Sequence, residues 1–153
     1  MFFRALFLSG CAAAAIAAAP AQPGQPTVTK HVSVVASVQK TGGGVMLALD
    51  VTPLPKMHVY APGEKDGIPV TLTVVATPAY KAATAKFPPP QKYYFAPLQL
   101  TQLVFSKPFQ ILQPITPTKP GEPITVTGTF RYQACDDLVC YLPVNVPVRW
   151  EIQ

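Results

Sequence analysis

The chain has 153 residues, of which 49% are apolar and 12% charged, with a formal net charge of +5 and 19 prolines. That length suits one domain rather than two, and the apolar share can fill a core, which excludes a disordered chain. The twelve Lys and Arg are scattered singly, with no basic run and no basic helix pattern, so the positive balance does not point to nucleic acid.

In chain order, the N-terminus "MFFRALFLSGCAAAAIAAAPAQPGQP" carries one Arg, an apolar stretch over residues 5–19, then small residues and a polar tail. Residues 1–19 read as a secretory signal with a cut after Ala19 or Ala21; about 15 apolar residues are short for a membrane span. "LSGC" at residues 8–11 also resembles a lipobox, in which Cys11 would be acylated. Most of the apolar run lies after Cys11, so ordinary cleavage fits better, and a membrane is a partner only if Cys11 is lipidated. Residues 20–27 form a Pro-rich leader, and residues 28–153 form the exported domain. That domain keeps Cys135 and Cys140 as its thiols, a pair expected to meet as a disulfide in an oxidising compartment.

From residue 28 the apolar period is two. Segments 28–38, 45–51, 58–60, 69–76, 98–105, 109–112, 124–134 and 146–152 are short, rich in Val, Ile, Thr and aromatics, and partly alternating, which predicts about eight strands. Between them lie "TGGG", "TPLPK", "APGEKDG", "FPPPQ" and "TPTKPGEP", all turn or loop signals. The prolines would break most helices. The pattern predicts an all-β, immunoglobulin-like antiparallel sandwich, with residues 78–97 as an extended Pro-rich loop.

In "YQACDDLVCYLP" four residues separate Cys135 from Cys140. As a hairpin loop they would set the cysteines opposite each other with Cα atoms about 4.5–5.5 Å apart, within disulfide range. A closed loop of about six residues stabilises by roughly 2 kcal/mol, against nearly 5 for about 100 residues. The bond is a poor staple, and it can open and close without unfolding a sandwich. Asp136 and Asp137 put negative charge beside the sulfurs, which disfavours a thiolate. Exchange would then need an activating partner, or a carboxylate that takes the thiol proton. On residues alone, a structural hairpin disulfide and a redox pair stand level.

"FRYQACDDLVCYLPVNVPVRW" resembles the end of the N-terminal periplasmic domain of the thiol:disulfide interchange protein DsbD, with "VMLALDVTPLPKMHVYAPG", "KFPPPQKYYF" and "LVFSKPFQI" agreeing in order. The resemblance spans roughly residues 28–153. It implies an immunoglobulin-like periplasmic sandwich without a cofactor, whose Cys135 and Cys140 pass electrons from a thioredoxin-like domain to oxidised periplasmic thiol proteins. By analogy Cys140 forms the mixed disulfide and Cys135 resolves it. "MHVY" matches the aromatic strand that flanks the pair, and places His58 and Tyr60 on one face because they are two apart. The family's aromatic cap falls within "KYYFAPL", on Tyr94 or Phe95. Four residues separate these cysteines where the best-known member has five. Read as a stand-alone domain, the chain needs its electrons from a thioredoxin-like or membrane electron-carrier protein in trans.

Two other classes compete. One is a non-enzymatic immunoglobulin-like binding or assembly module with a structural disulfide. The other is an exported copper binder using His31, His58, Met46, Met57 and the cysteines. Cys-x4-Cys matches no zinc ribbon, and a lone strand His is more often packed or exposed than a ligand. Trp150 alternates with Val148 and Ile152 and reads as core. Ser33, Ser37 and Ser106 have no His and Asp arrangement that supports a hydrolase.

Overall fold

The structure, a computed structural model, describes residues 23–41 and 44–153. The signal sequence, its cut after Ala19 or Ala21, Cys11 and the first residues of the leader lie outside the described residues. The strands are β1 (Thr27–Val28), β2 (Val32–Thr41), β3 (Gly44–Pro53), β4 (His58–Tyr60), β5 (Thr71–Val74) and β6 (Tyr80–Ala82). They continue as β7 (Gln91–Phe95), β8 (Leu100–Phe105), β9 (Phe109–Pro117), β10 (Ile124–Tyr132), β11 (Ala134–Cys135) and β12 (Val144–Ile152). A single 3-10 turn, Ala96–Leu98, joins β7 to β8.

Every strand pairing is antiparallel. One sheet runs β1-β2-β3-β9-β6, a second β12-β10-β5, and a third β11-β4-β8-β7. Alternation explains why the first two face each other. In β10, Ile124, Val126, Phe130 and Tyr132 are buried while Thr125, Thr127, Thr129 and Arg131 are exposed. Val32, Val34 and Ala36 of β2 and Leu47, Leu49 and Val51 of β3 meet them in one apolar core with Val146, Val148 and Trp150 of β12. The Trp150 indole N–H donates to the Ala48 carbonyl at 2.9 Å, tying β12 to β3 across the sandwich. Pro147 sits in β12, an edge strand, where its missing N–H leaves no ladder bond unmade. The immunoglobulin-like sandwich expected from the sequence is the fold observed.

The stretch 78–97, expected as an extended loop, instead contributes β6, which pairs with β9, and β7, which pairs with β8. Pro88, Pro89 and Pro90 fall between those strands, where no ladder N–H is needed, so the prolines hide the strands rather than prevent them. The expected strand 124–134 breaks at Gln133. There the chain leaves the sheet of β10 and enters the third sheet as β11.

The third sheet is a layer with two different faces. Register places Val59, Phe105 and Ala134 on the face that joins the main core. The opposite face carries Tyr60, Val104 and Cys135 as a separate buried cluster, with Tyr93 packed against it. A one-residue slip would exchange the two sets, so burial of the first face fixes the position of the second.

Candidate functional site

Cys135 lies in β11 directly opposite His58 of β4, and it bridges antiparallel to Cys140 across the loop Asp136 to Val139. The two cysteines are joined as a disulfide with Cα atoms 4.0 Å apart. Asp136 builds the loop. Its Oδ1 accepts the N–H groups of Leu138 and Val139, each at 2.8 Å, and its Oδ2 accepts the Tyr141 hydroxyl at 2.7 Å. The Val139 N–H, then the Tyr141 hydroxyl, then the Leu138 N–H hold this carboxyl below its ordinary range. Below the loop, Gln133 ties the hairpin base to the segment between β4 and β5. Its Oε1 accepts the Ile68 N–H at 2.9 Å and its Nε2 donates to the Tyr141 carbonyl at 3.0 Å.

The two sulfurs have unequal surroundings. Cys135 is 0% exposed, whereas Cys140 is exposed. Around Cys140 the side chains of Leu138, Val139 and Leu142 are exposed at 76%, 50% and 86%. The Tyr60 hydroxyl lies 3.2 Å from Cys140 Sγ and accepts the Gln102 Nε2–H at 3.1 Å. With that N–H occupying the phenol oxygen, the O–H is left to donate to sulfur. Burial raises the Tyr60 pKa, against a lowering by the Gln102 bond, so the phenol keeps its proton. Gln102 is itself fully buried on β8.

His58 is 2% exposed, and its ring stacks at a tilt on Tyr93 with centroids 4.4 Å apart. The Tyr93 hydroxyl in turn donates to Asp137 Oδ1 at 2.7 Å. Burial lowers the His58 pKa despite the opposing pull of Asp137 and Asp136. Its Nε2 is buried without a hydrogen-bond partner among the described residues.

The structure thus brings together Cys135, Cys140, His58, Tyr60, Asp136 and Asp137. It does not bring Tyr94 or Phe95 to the pair. Tyr94 is 61% exposed, and Phe95 is buried but outside the cluster around Cys135. The residue that covers this face is Tyr93. Period two in β7 puts Tyr93 opposite Gln102 on the site face and turns Tyr94 away, while Phe95 sits one step further along, opposite Leu100. His31 stacks on Tyr141 with centroids 4.5 Å apart. Among the described residues no three His, Cys, Asp or Glu side chains gather as a metal site would need.

Sequence reasoning missed Gln133, Gln102, Tyr93 and Gly67. The Tyr60 ring lies against Gly67, where an added Cβ would fall 2.1 Å from a ring carbon. Gln133, a polar residue ending a strongly alternating strand, is the one signal that was readable. The others depend on which distant strands pair.

A family model described as "Thiol:disulfide interchange protein DsbD, N-terminal" matches residues 25–149. No curated protein matches the chain by sequence. The crystal structure of the N-terminal periplasmic domain of ScsB from Proteus mirabilis is 15% identical with a TM-score of 0.60, over 82% of this chain and 49% of that one. The chain therefore spans about half the length of that domain, and the likeness is one of fold. The Neisseria meningitidis DsbD N-terminal domain in the reduced form is 18% identical with a TM-score of 0.49, over 78% of this chain and 83% of that one. With the family model covering most of its length, this chain belongs to the family of DsbD N-terminal domains.

Proposed function

We propose that the chain is a periplasmic thiol-disulfide exchange module that passes electrons through Cys135 and Cys140. Its donor is a thioredoxin-like or membrane electron-carrier protein, and its acceptors are oxidised periplasmic thiol proteins. The signal-like pattern of one Arg, an apolar stretch and small residues at the N-terminus and the periplasmic description of the ScsB domain support the location. The observation that carries the reading is the unequal exposure of the two cysteines, Cys140 being exposed and Cys135 buried, which offers Cys140 rather than Cys135 to a partner.

In the reduced domain, the Tyr60 O–H favours a thiolate at Cys140. That thiolate attacks one sulfur of a partner disulfide, and the partner's other sulfur leaves as a thiolate. Cys135 then attacks Cys140 Sγ, the mixed disulfide breaks, and the second partner thiolate departs. Two electrons have moved to the partner and the domain holds a disulfide. Asp136 and Asp137 restrain indiscriminate thiolate formation while Asp136 keeps the loop in shape. The exposed Leu138, Val139 and Leu142 give a partner an apolar rim around Cys140.

Equilibration of the cysteine pair with thiol redox buffers tests the reading. A reduction potential above about −300 mV is expected, and a lower one would mark a structural disulfide. A Cys135→Ser variant, which keeps Cys140, is expected to accumulate mixed disulfides with periplasmic thiol proteins.

A further inference from the structure

We infer that His58 is the proton acceptor of Cys135: its Nε2 takes the Cys135 thiol proton as that sulfur attacks the mixed disulfide on Cys140, and loses it to the medium once the disulfide has closed. The inference rests on the exchange reading above and assigns a step within it.

Geometry carries it. His58 and Cys135 are directly paired across β4 and β11. Opposed residues share a face, with Cβ atoms about 4.5–5.5 Å apart. Both side chains are shut away from water, at 2% and 0% exposure. Water therefore cannot readily collect the proton of the buried thiol, and a fixed base beside it has work that no base beside Cys140 would have. His58 Nε2 is buried and has no hydrogen-bond partner among the described residues with the disulfide closed. A buried polar atom without a partner is costly, and with the ring proton on Nδ1 this nitrogen is an acceptor. Reduction of the disulfide creates a new donor, the Cys135 S–H, on the strand directly opposite.

The loop carboxylates are less suited as the base, since Asp137 is exposed while Cys135 is buried. Asp136 uses both oxygens on two backbone N–H groups and the Tyr141 hydroxyl, and Asp137 accepts from Tyr93. The titratable groups facing His58 are Cys135 from β11, Tyr93 from β7, and Asp136 and Asp137 from the loop. Burial outweighs both carboxylates and keeps the imidazole neutral, and so able to accept, at neutral pH. The sulfurs are thus served oppositely, Cys140 by a hydrogen-bond donor and Cys135 by an acceptor.

The step balances. The Cys135–S–H bond breaks and an Nε2–H bond forms on His58. The sulfur's electron pair makes the bond to Cys140 Sγ, and the Cys140–partner bond breaks with its pair leaving on the partner sulfur. Re-reduction runs the same path backwards: a donor thiolate attacks Cys140 Sγ, and Cys135 leaves as a thiolate that takes up a proton from the medium by way of His58 Nε2.

The reduced chain, carrying Cys11→Ser so that Cys135 and Cys140 are its only thiols, is mixed with one equivalent of an aromatic nitrobenzoate disulfide, and the coloured thiolate is followed by stopped flow. The first release reports attack by Cys140, the second resolution by Cys135. In His58→Gln the ratio of second to first release rate is expected to fall by about 100-fold or more at neutral pH. The deficit should close as the pH rises into the buried thiol's own range, above the ordinary cysteine value of about 8.5. The unsubstituted chain supplies a check independent of the variant's folding. Its second release should be flat in pH between the imidazole and thiol ranges, and a tenfold climb per pH unit throughout would overturn the inference. If the unsubstituted chain yields no second release, the exchange reading falls and this assignment with it. If it yields both releases and His58→Gln matches its rates and profile, only the assignment to His58 falls.

Discussion

Tyr60 shows how much chemistry one side chain carries. Its ring is buried against Gly67, its oxygen accepts from Gln102, and its O–H points at Cys140 Sγ. A hydrogen bond to a charged group contributes about 1.5 kcal/mol or more, roughly tenfold in an equilibrium. In reduced Tyr60→Phe the Cys140 thiolate loses that donor, and its alkylation at neutral pH is expected to slow about tenfold, with the reactive pH range moved upward. An alkylation profile identical to that of the unsubstituted chain would remove Tyr60 from the site. Cys135 and Cys140 are legible in the sequence because their relation is local, a six-residue hairpin, and a spacing of two sets His58 and Tyr60 on one face, but their place beside the pair rests on the family resemblance of "MHVY". Tyr93 and Gln102 are not legible. Their place depends on β7 pairing with β8 and β8 with β4, and period two alone cannot tell which face of "KYYF" looks toward a distant cysteine.

At the scale of elements, β10 and β11 are one run of sequence serving two sheets. The break falls at Gln133, whose side chain bonds to both Ile68 and Tyr141 and so holds the hairpin where the sandwich strand ends. Strand content and fold class can be read from alternation and turn residues. The break cannot, because "FRYQAC" is good strand sequence on either side of it. β6 and β7 are hidden for the opposite reason, since proline density around them signals loop while their ladder partners lie far along the chain. Gly128 gives a test of how closely these elements are set. In the central strand of its sheet, an added Cβ would come within 2.5 Å of the Thr73 carbonyl oxygen of β5. Neither backbone can yield without breaking the β5-β10 ladder, so Gly128→Ala is expected to destabilise by about 1–3 kcal/mol. Urea unfolding measures this. A midpoint equal to that of the unsubstituted chain would mean that β5 is free to move away.

For the molecule as a whole, stability comes from the sandwich core and redox chemistry from the outer face of a third sheet, and protonation links the two. His58, His31, Glu64 and Asp136 have pKa values lowered in the folded state. Burial does this to His58 against two carboxylates, and burial followed by Lys30 does it to His31. Burial pushes Glu64 up, but N–H bonds from Asp66, Leu103 and Lys65 outweigh it. A group whose folded pKa is depressed binds more protons unfolded, so its contribution is full above the unfolded value and is lost as pH falls through the folded one. The histidine share is therefore lost below about pH 6.5 and the carboxylate share below about pH 4. Acidification also adds positive charge to a chain already at +5, which acts in the same direction. The urea midpoint of the oxidised chain is thus expected to hold near neutrality, fall in a first stage below about pH 6.5, and fall again below about pH 4. His31→Gln should shrink the first stage and leave the second. A midpoint that stays level or rises from about pH 7 to about pH 5 would mean that the buried histidines carry no such linkage.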